Sequence, residues 1–320
     1  MAKYRVVLTD ARHSSYEIEK KILQEADAEL IICNCATEQD VINACADADG
    51  ILLDMAPMNA KCIEALKKCK VINRYGVGYD NVDVEAATKK GIQVSYVPDY
   101  CALDVSDHAL ALMMSCLRQT ALRDRLVRQG KWNIQAGASF RLKGKSLGVL
   151  GAGRIARELI QKVSGFGFKE ILAYDPYVPE EVLAAIGAKK ATKEEVLSNS
   201  DFISLHMPVT PETRGIINDE AIALMKPTAI LINTGRGPLV NDEALLRALR
   251  EKRIGAAGLD THCTEPVPMD SEYMQLDNVV LTDHTAYNTV EGVEELKTKS
   301  AQNVADVLSG KSVRYPVNKI

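Results

Sequence analysis

The chain has 320 residues, 47% hydrophobic and 26% charged with a formal net charge of −4, which describes a globular protein long enough for two domains with proper cores. No long basic run is present, so neither nucleic acid nor a membrane surface is an expected partner, and no apolar run approaches the roughly 20 residues of a membrane span. Met-Ala-Lys-Tyr leads directly into a strand pattern without a signal peptide, and a cytoplasmic protein is expected.

In the first third, apolar runs at 5–8, 29–33, 50–53, 71–73 and 93–96 alternate with amphipathic patterns at 16–25, 38–46, 60–68 and 84–90. This alternation predicts a parallel sheet covered by helices. It contains no phosphate-type glycine loop, so residues 1–100 form a doubly wound domain with another task. Pro98-Asp99-Tyr100 breaks the pattern. Asp104 then reads as an N-cap, Asp107 completes a capping box and Gly130 is the stop, which together predict one long helix. Its apolar face, Leu110, Met113, Met114 and Leu117 broadened by Leu112 and Cys116, suits either a buried helix between domains or a dimer contact.

Residues 146–175 supply the organising motif. An apolar strand enters Gly151-Ala152-Gly153-Arg154-Ile155-Ala156, a helix pattern follows, and a second strand ends at Asp175. One glycine permits the tight turn, the second lets backbone approach a pyrophosphate, and a small third residue lets the helix pack on the strand. Helix-start amides and the helix dipole favour the anion, and Asp175 is placed to accept from ribose hydroxyls. NAD is therefore the expected cofactor. The rhythm continues with strands at 202–206, 229–233, 255–260 and 279–282 and helices near 193–198, 219–225 and 242–251. The polar residues Asp175, His206, Asn233 to Arg236, Asp260 to Glu265 and His284 all fall at strand ends, where open parallel sheets bind ligands. A last helix at 291–308 has no sheet left to cover in its own domain. It is expected to return to the first, giving a discontinuous domain of 1–100 and 287–320 around a nucleotide domain of 101–286.

Three ionisable groups form the candidate catalytic set. Hydride transfer to a 2-keto acid needs a proton donor at the carbonyl oxygen, a cation for the carboxylate and a counter-ion for the donor. His284 suits the first role, Arg236 the second in forked geometry, and Glu265 the third. The eight cysteines read as reduced thiols packed as small apolar groups, Cys101 and Cys263 as lining beside the site, and no metal site is expected. Near Arg74 the YGVGYD loop can turn the amides of Val77 and Gly78 toward an anion. Arg74 either adds charge for the substrate carboxylate or a second anionic group, or pairs with a structural carboxylate such as Asp80.

The motifs RYGVGYDNVD, VLGAGRIA, LHMPVTPETRG, NTGRG, GLD with TEP, and DHTA stand in an order that resembles the D-isomer-specific 2-hydroxyacid dehydrogenase family over nearly the whole chain. The resemblance implies an α/β protein of two doubly wound parallel-sheet domains, a Rossmann NAD domain and a flavodoxin-like substrate domain. It implies Arg236, Glu265 and His284 as catalytic residues. It places Gly151, Gly153, Arg154, Ile155, Asp175, His206, Pro208, Thr213, Thr234 and Asp260 against NAD, with Asp260 near the nicotinamide carboxamide. It gives Val77 and Gly78 to the substrate carboxylate and Tyr100 to substrate contact. A small 2-keto or 2-hydroxy acid as substrate and a homodimer follow as expectations. Asp283 replaces the usual proline before the histidine, and Thr261-His262 replace the frequent Val-Phe. The RYGVGYDNVD and YVPDYCALDVSDHAL segments are also similar to the branch holding the C-terminal-binding-protein corepressors. The alternative is thus an NAD-sensing dimeric binding protein with weak or no dehydrogenase activity. The extra C-terminal regulatory domain of some phosphoglycerate-type members is not expected.

Overall fold

A computed structural model of the chain describes residues 2–135 and 137–320. They divide into two compact units, Met1–Tyr100 with Thr289–Ile320, and Cys101–Asn288. The first unit runs β1 (Tyr4–Leu8), α1 (Glu17–Glu25), β2 (Ala28–Ile32), α2 (Glu38–Cys45), β3 (Gly50–Leu53), α3 (Ala60–Ala65), β4 (Val71–Arg74), α4 (Val84–Lys89) and β5 (Gln93–Ser95). The second holds α5 (Ala102–Arg118), α6 (Thr120–Arg128), β6 (Ser146–Leu150), α7 (Arg154–Lys162), β7 (Glu170–Tyr174), α8 (Glu180–Ala184), β8 (Lys189–Lys190), α9 (Lys193–Asn199), β9 (Phe202–Leu205), α10 (Asp219–Leu224), β10 (Ile230–Asn233), α11 (Asp242–Arg250), β11 (Ala256–Leu259) and β12 (Val279–Leu281). Helix α12 (Val290–Leu308) belongs to the first unit again.

The first sheet has the order β2-β1-β3-β4-β5 and is parallel throughout, the flavodoxin-type doubly wound arrangement. Every residue of β3 and β4 is buried, because helices cover both faces, and hence these strands read as continuous runs instead of alternating ones. Helix α12 packs on α1, β3 and β4. It starts at Thr289, whose side chain accepts from the Gly292 amide at 2.9 Å. Its Asn303 donates to Asn73 Oδ1 at 2.8 Å, which pairs the one polar side chain in the middle of β4.

The second sheet is also parallel, in the order β12-β11-β10-β9-β6-β7-β8. Counted within the unit this is the Rossmann order 3-2-1-4-5-6 with one strand added beyond the sixth. The chain is thus an α/β protein of two doubly wound parallel sheets. The short α8 and β8 lack a distinct periodic signal and were not foreseen from sequence.

The long helix expected from Asp104 is two helices. Gln119 takes a left-handed conformation, φ 56°, which ends α5 and starts α6 in a new direction. Asp104 is no N-cap: α5 begins two residues earlier behind Cys101, with no side-chain cap bond, and Asp107 instead binds Lys162 Nζ at 2.6 Å. Part of the apolar stripe of α5 is used within its own unit. Leu112, Met113, Cys116 and Leu117 pack with Leu147, Val149 and Ile230 and cover the sheet of their own unit.

Candidate active site

The glycine turn sits between β6 and α7. Gly151 has φ +89°, and a Cβ there would lie 2.5 Å from the His206 carbonyl oxygen, so conformation and close approach both demand glycine. Gly153 differs: no heavy atom lies within 4 Å of where its Cβ would be, and it immediately precedes the nine-residue α7. The space in front of this helix start is a cradle that a side chain would fill. Arg154 is exposed and Ile155 half-buried beside it. Asp175 follows β7 and faces the turn, with Oδ2 accepting from the Ala152 amide at 2.8 Å and Oδ1 from the Tyr177 and Val178 amides at 2.8 and 3.2 Å. Three of its about four acceptor positions are taken, leaving capacity for a hydroxyl donor.

The other predicted cofactor-side residues lie at the same sheet edge. His206 follows β9, its Nε2 2.8 Å from Ser204 Oγ, and burial pushes its imidazole down to about 4, which keeps it neutral and unsuited to the role of acid. Thr213 fastens the loop after it, donating to the Pro208 carbonyl and accepting from the Thr210 amide, both at 2.7 Å. Thr234 is buried, and among the described residues its hydroxyl has no hydrogen-bond partner.

Arg236, Glu265 and His284 follow β10, β11 and β12, three adjacent strands. Asn233 shapes the first loop, accepting from the Gly235 amide at 3.1 Å and donating to the Arg236 carbonyl at 2.9 Å. The Arg236 guanidinium donates to the Gly235 carbonyl at 2.9 Å. A side chain at Gly237 would collide with the His262–Cys263 peptide, so this glycine lets the Arg236 loop lie directly on the loop that carries Glu265. His284 Nδ1 donates to Glu265 Oε2 at 2.8 Å, and Glu265 Oε1 accepts from the His262 amide at 2.9 Å. Burial pushes the Glu265 carboxyl up, but the bonds from His284 and the His262 amide outweigh it and hold it below its ordinary value. With a carboxylate on Nδ1, that nitrogen carries a proton and Nε2 is left for a reacting group.

Asp260 does something that sequence reading missed. Its carboxylate is fully buried and accepts from Thr282 Oγ1 at 2.7 Å and from the Thr285 and Ala286 amides at 3.0 and 3.1 Å. Its own carbonyl accepts from the His284 amide at 2.9 Å. It therefore clamps the turn that presents the histidine. No local pattern signals this, because the partners are about 25 residues away along the chain. His262, which stands where the family often has phenylalanine, donates through Nε2 to the Thr282 carbonyl at 2.8 Å and joins the same clamp. Asp283 accepts from Thr285 Oγ1 at 2.8 Å. The thiols stay bland: burial pushes Cys263 up to about 11 and Cys116 up to about 12.

In the first unit, Val77 and Gly78 are half-buried, and among the described residues neither amide has a hydrogen-bond partner. Tyr100 is buried. Arg74 has a structural carboxylate beside it, as one of the two sequence readings allowed. It is 8% exposed, its Nη1 donates to the Tyr75 carbonyl at 2.5 Å, and it forms an ion pair with Asp54 at 3.7 Å. The reason is register: Leu53 is opposite Arg74, so the residue leaving β3 emerges beside the guanidinium.

Comparison with known proteins gives one family. The model for "D-isomer specific 2-hydroxyacid dehydrogenase, NAD binding domain" matches residues 110–286. A D-3-phosphoglycerate dehydrogenase of Methanocaldococcus jannaschii is 37% identical over 98% of this chain and 59% of that protein. A glyoxylate reductase of Korarchaeum cryptofilum is 38% identical over 84% of this chain and 81% of that protein. A D-lactate dehydrogenase from Aquifex aeolicus, solved with NAD and lactic acid, superposes with a TM-score of 0.85 at 29% identity, covering 95% of this chain and 96% of that one. The chain spans little more than half the length of the Methanocaldococcus relative. The cofactor is of the NAD type, and the residues fit it: the cradle at Gly153, the unpartnered buried Thr234 hydroxyl and the spare capacity of Asp175 are the features a dinucleotide would use.

Proposed function

Because the chain belongs to the D-isomer specific 2-hydroxyacid dehydrogenase family, we propose that it interconverts a 2-keto acid and a D-2-hydroxy acid, with His284 as acid and base, Glu265 as its partner and Arg236 on the substrate. The observation that carries the proposal is the 2.8 Å His284–Glu265 pair, on the same sheet edge as the glycine turn. When bound, the nicotinamide supplies or takes up the hydride. In reduction, His284 Nε2 gives its proton to the carbonyl oxygen as charge builds there, and Glu265 stabilises the imidazolium beforehand and holds the ring in one tautomer. In oxidation the same nitrogen takes the hydroxyl proton. Arg236 pairs with the substrate and polarises the reacting carbonyl, while the Val77 and Gly78 amides hold the carboxylate. On this reading Cys101–Asn288 is the nucleotide unit and the discontinuous unit serves the substrate. Tyr100 lines the substrate position, and Arg154, Ile155, Pro208 and Thr213 line the cofactor.

A homodimer belongs to the same proposal. Val127 in α6 and Trp132, Ile134 and Phe140 after it are exposed by 55, 86, 83 and 41%. So much apolar surface on one segment fits burial against a second copy of the chain. The test of function is a panel of glyoxylate, pyruvate, hydroxypyruvate and longer keto acids with NADH absorbance as readout. Turnover of at least one, yielding the D product, is expected. NADH binding without any turnover would favour the corepressor-like alternative.

A further inference from the structure

The first sheet's carboxyl edge carries a balanced set of charges. Asp54 leaves β3 with its side chain 13% exposed, Oδ1 3.7 Å from Arg74 Nη1 and Oδ2 3.4 Å from Arg12 Nη1. Asp10, just past β1, accepts from the Asp54 and Ala56 amides at 3.2 and 3.4 Å. Beside them Glu19, fully buried, accepts from the Tyr75 hydroxyl, and Lys297 of α12 donates to the Ser15 carbonyl at 2.7 Å. Three carboxylates thus stand against three cations around Asp54 and Glu19, and the formal charge of this cluster is zero. Arg74 is also spent sterically. Its Nη2 contacts Met55 Sδ at 3.8 Å, its Nε is buried without a hydrogen-bond partner among the described residues, and the guanidinium lies where any side chain on Gly76 would be. Burial lifts the Asp54 carboxyl above its ordinary range, against the pull of the two arginines.

A phosphate monoester carries roughly −1.5 to −2 charges and is held by forked arginines or lysines in net excess. The cluster around Asp54 has no excess. We infer that the substrate edge of the first unit takes a monoanionic keto acid, its single carboxylate on the Val77 and Gly78 amides, and that Asp54 sets this specificity by cancelling Arg74 and Arg12 and repelling a phosphorylated tail. The inference rests on the dehydrogenase reading, and it separates this chain from the phosphoglycerate dehydrogenases among its relatives.

The experiment compares hydroxypyruvate with 3-phosphohydroxypyruvate, which differ by the phosphate alone, in the full chain and in Asp54→Asn, with melting temperature reporting the fold. In the native protein kcat/KM for hydroxypyruvate should exceed that for the phosphorylated acid by about 100-fold or more, since like charges that meet in a site are strongly discriminated against. In Asp54→Asn both arginines lose their counter-charge, and the ratio should narrow by about 10-fold or more. Equal or better use of the phosphorylated acid by the native protein, or a ratio unmoved in a folded variant, overturns the inference. If no keto acid is reduced at all, the dehydrogenase reading falls. Titration calorimetry with NADH present then decides the charge inference separately: D-glycerate should bind at least about 10-fold tighter than D-3-phosphoglycerate. The reverse order, equal affinity, or no binding of either overturns it.

Discussion

His284 has a φ of 57°, a left-handed conformation that costs a non-glycine residue of order 1–3 kcal/mol and persists only where surroundings enforce it. Here Asp260 enforces it through three backbone amides, those of residues 284, 285 and 286. The cost is consistent with a side chain that must be presented in one orientation. His284→Ala should lower the turnover of keto-acid reduction by about 10²-fold or more while the NADH dissociation constant stays within error, because the lost group meets the substrate and not the dinucleotide. Glu265→Gln keeps the shape and removes the counter-charge that favours a protonated imidazole, so the pH optimum of reduction should move down; an unchanged profile would argue against the pair. His206 makes a separate prediction. Its pKa of about 4 in the fold lies below the ordinary 6.5, so between these values the unfolded chain binds the extra proton and the folded one does not. Stability therefore falls as pH drops from 6.5 toward 4, by at most about 3 kcal/mol from this group. Denaturant titrations at pH 7 and pH 4.5 should show a smaller loss in His206→Asn than in the native chain.

At the scale of the element, the β6–α7 turn separates two uses of glycine. Gly151→Ala must adopt a left-handed φ and meet the His206 carbonyl, so it should destabilise the fold by at least about 1 kcal/mol, read as a lowered melting temperature. Gly153→Ala meets nothing within 4 Å and should melt as the native protein does, yet bind NADH roughly 10-fold more weakly, since the methyl would occupy the pyrophosphate's place. Normal NADH affinity in Gly153→Ala would move the cofactor elsewhere. The following strand decides between cofactors. Asp175 is held at the turn by three amides, and Pro176-Tyr177-Val178 offer no cation, so a 2′-phosphate would meet a carboxylate. Comparison of kcat/KM should favour NADH over NADPH by about 10²-fold or more. This motif was legible in sequence because each of its requirements is local: a strand, two glycines, a helix and an acid at fixed spacing. The break at Gln119 was not, because glutamine in the left-handed region has no sequence signature and the stripe of α5 continues unbroken up to it.

At the scale of the molecule, Trp132 and Ile134 test the proposed dimer. Their joint change to aspartate should convert a dimer to a monomer in analytical ultracentrifugation while far-UV circular dichroism is retained. A native chain that sediments as a monomer would instead leave that stretch to another partner. Much of the chain's architecture was already present in its hydrophobic pattern. Alternating strands and helices force parallel pairing with helical cover, and the charged residues at strand ends fall on one edge because every strand of a parallel sheet points the same way. So His284, Glu265 and Arg236 could be placed on one sheet edge from sequence alone. Which groups they would face could not be named, since that depends on strand order and register. Adjacency of β3 and β4 puts Asp54 beside Arg74, and the Asp260 carboxylate is turned toward the amides of the turn after β12 because that strand lies beside β11. Contacts between residues distant in sequence are set by the order in which strands pack, and no window along the chain contains that order.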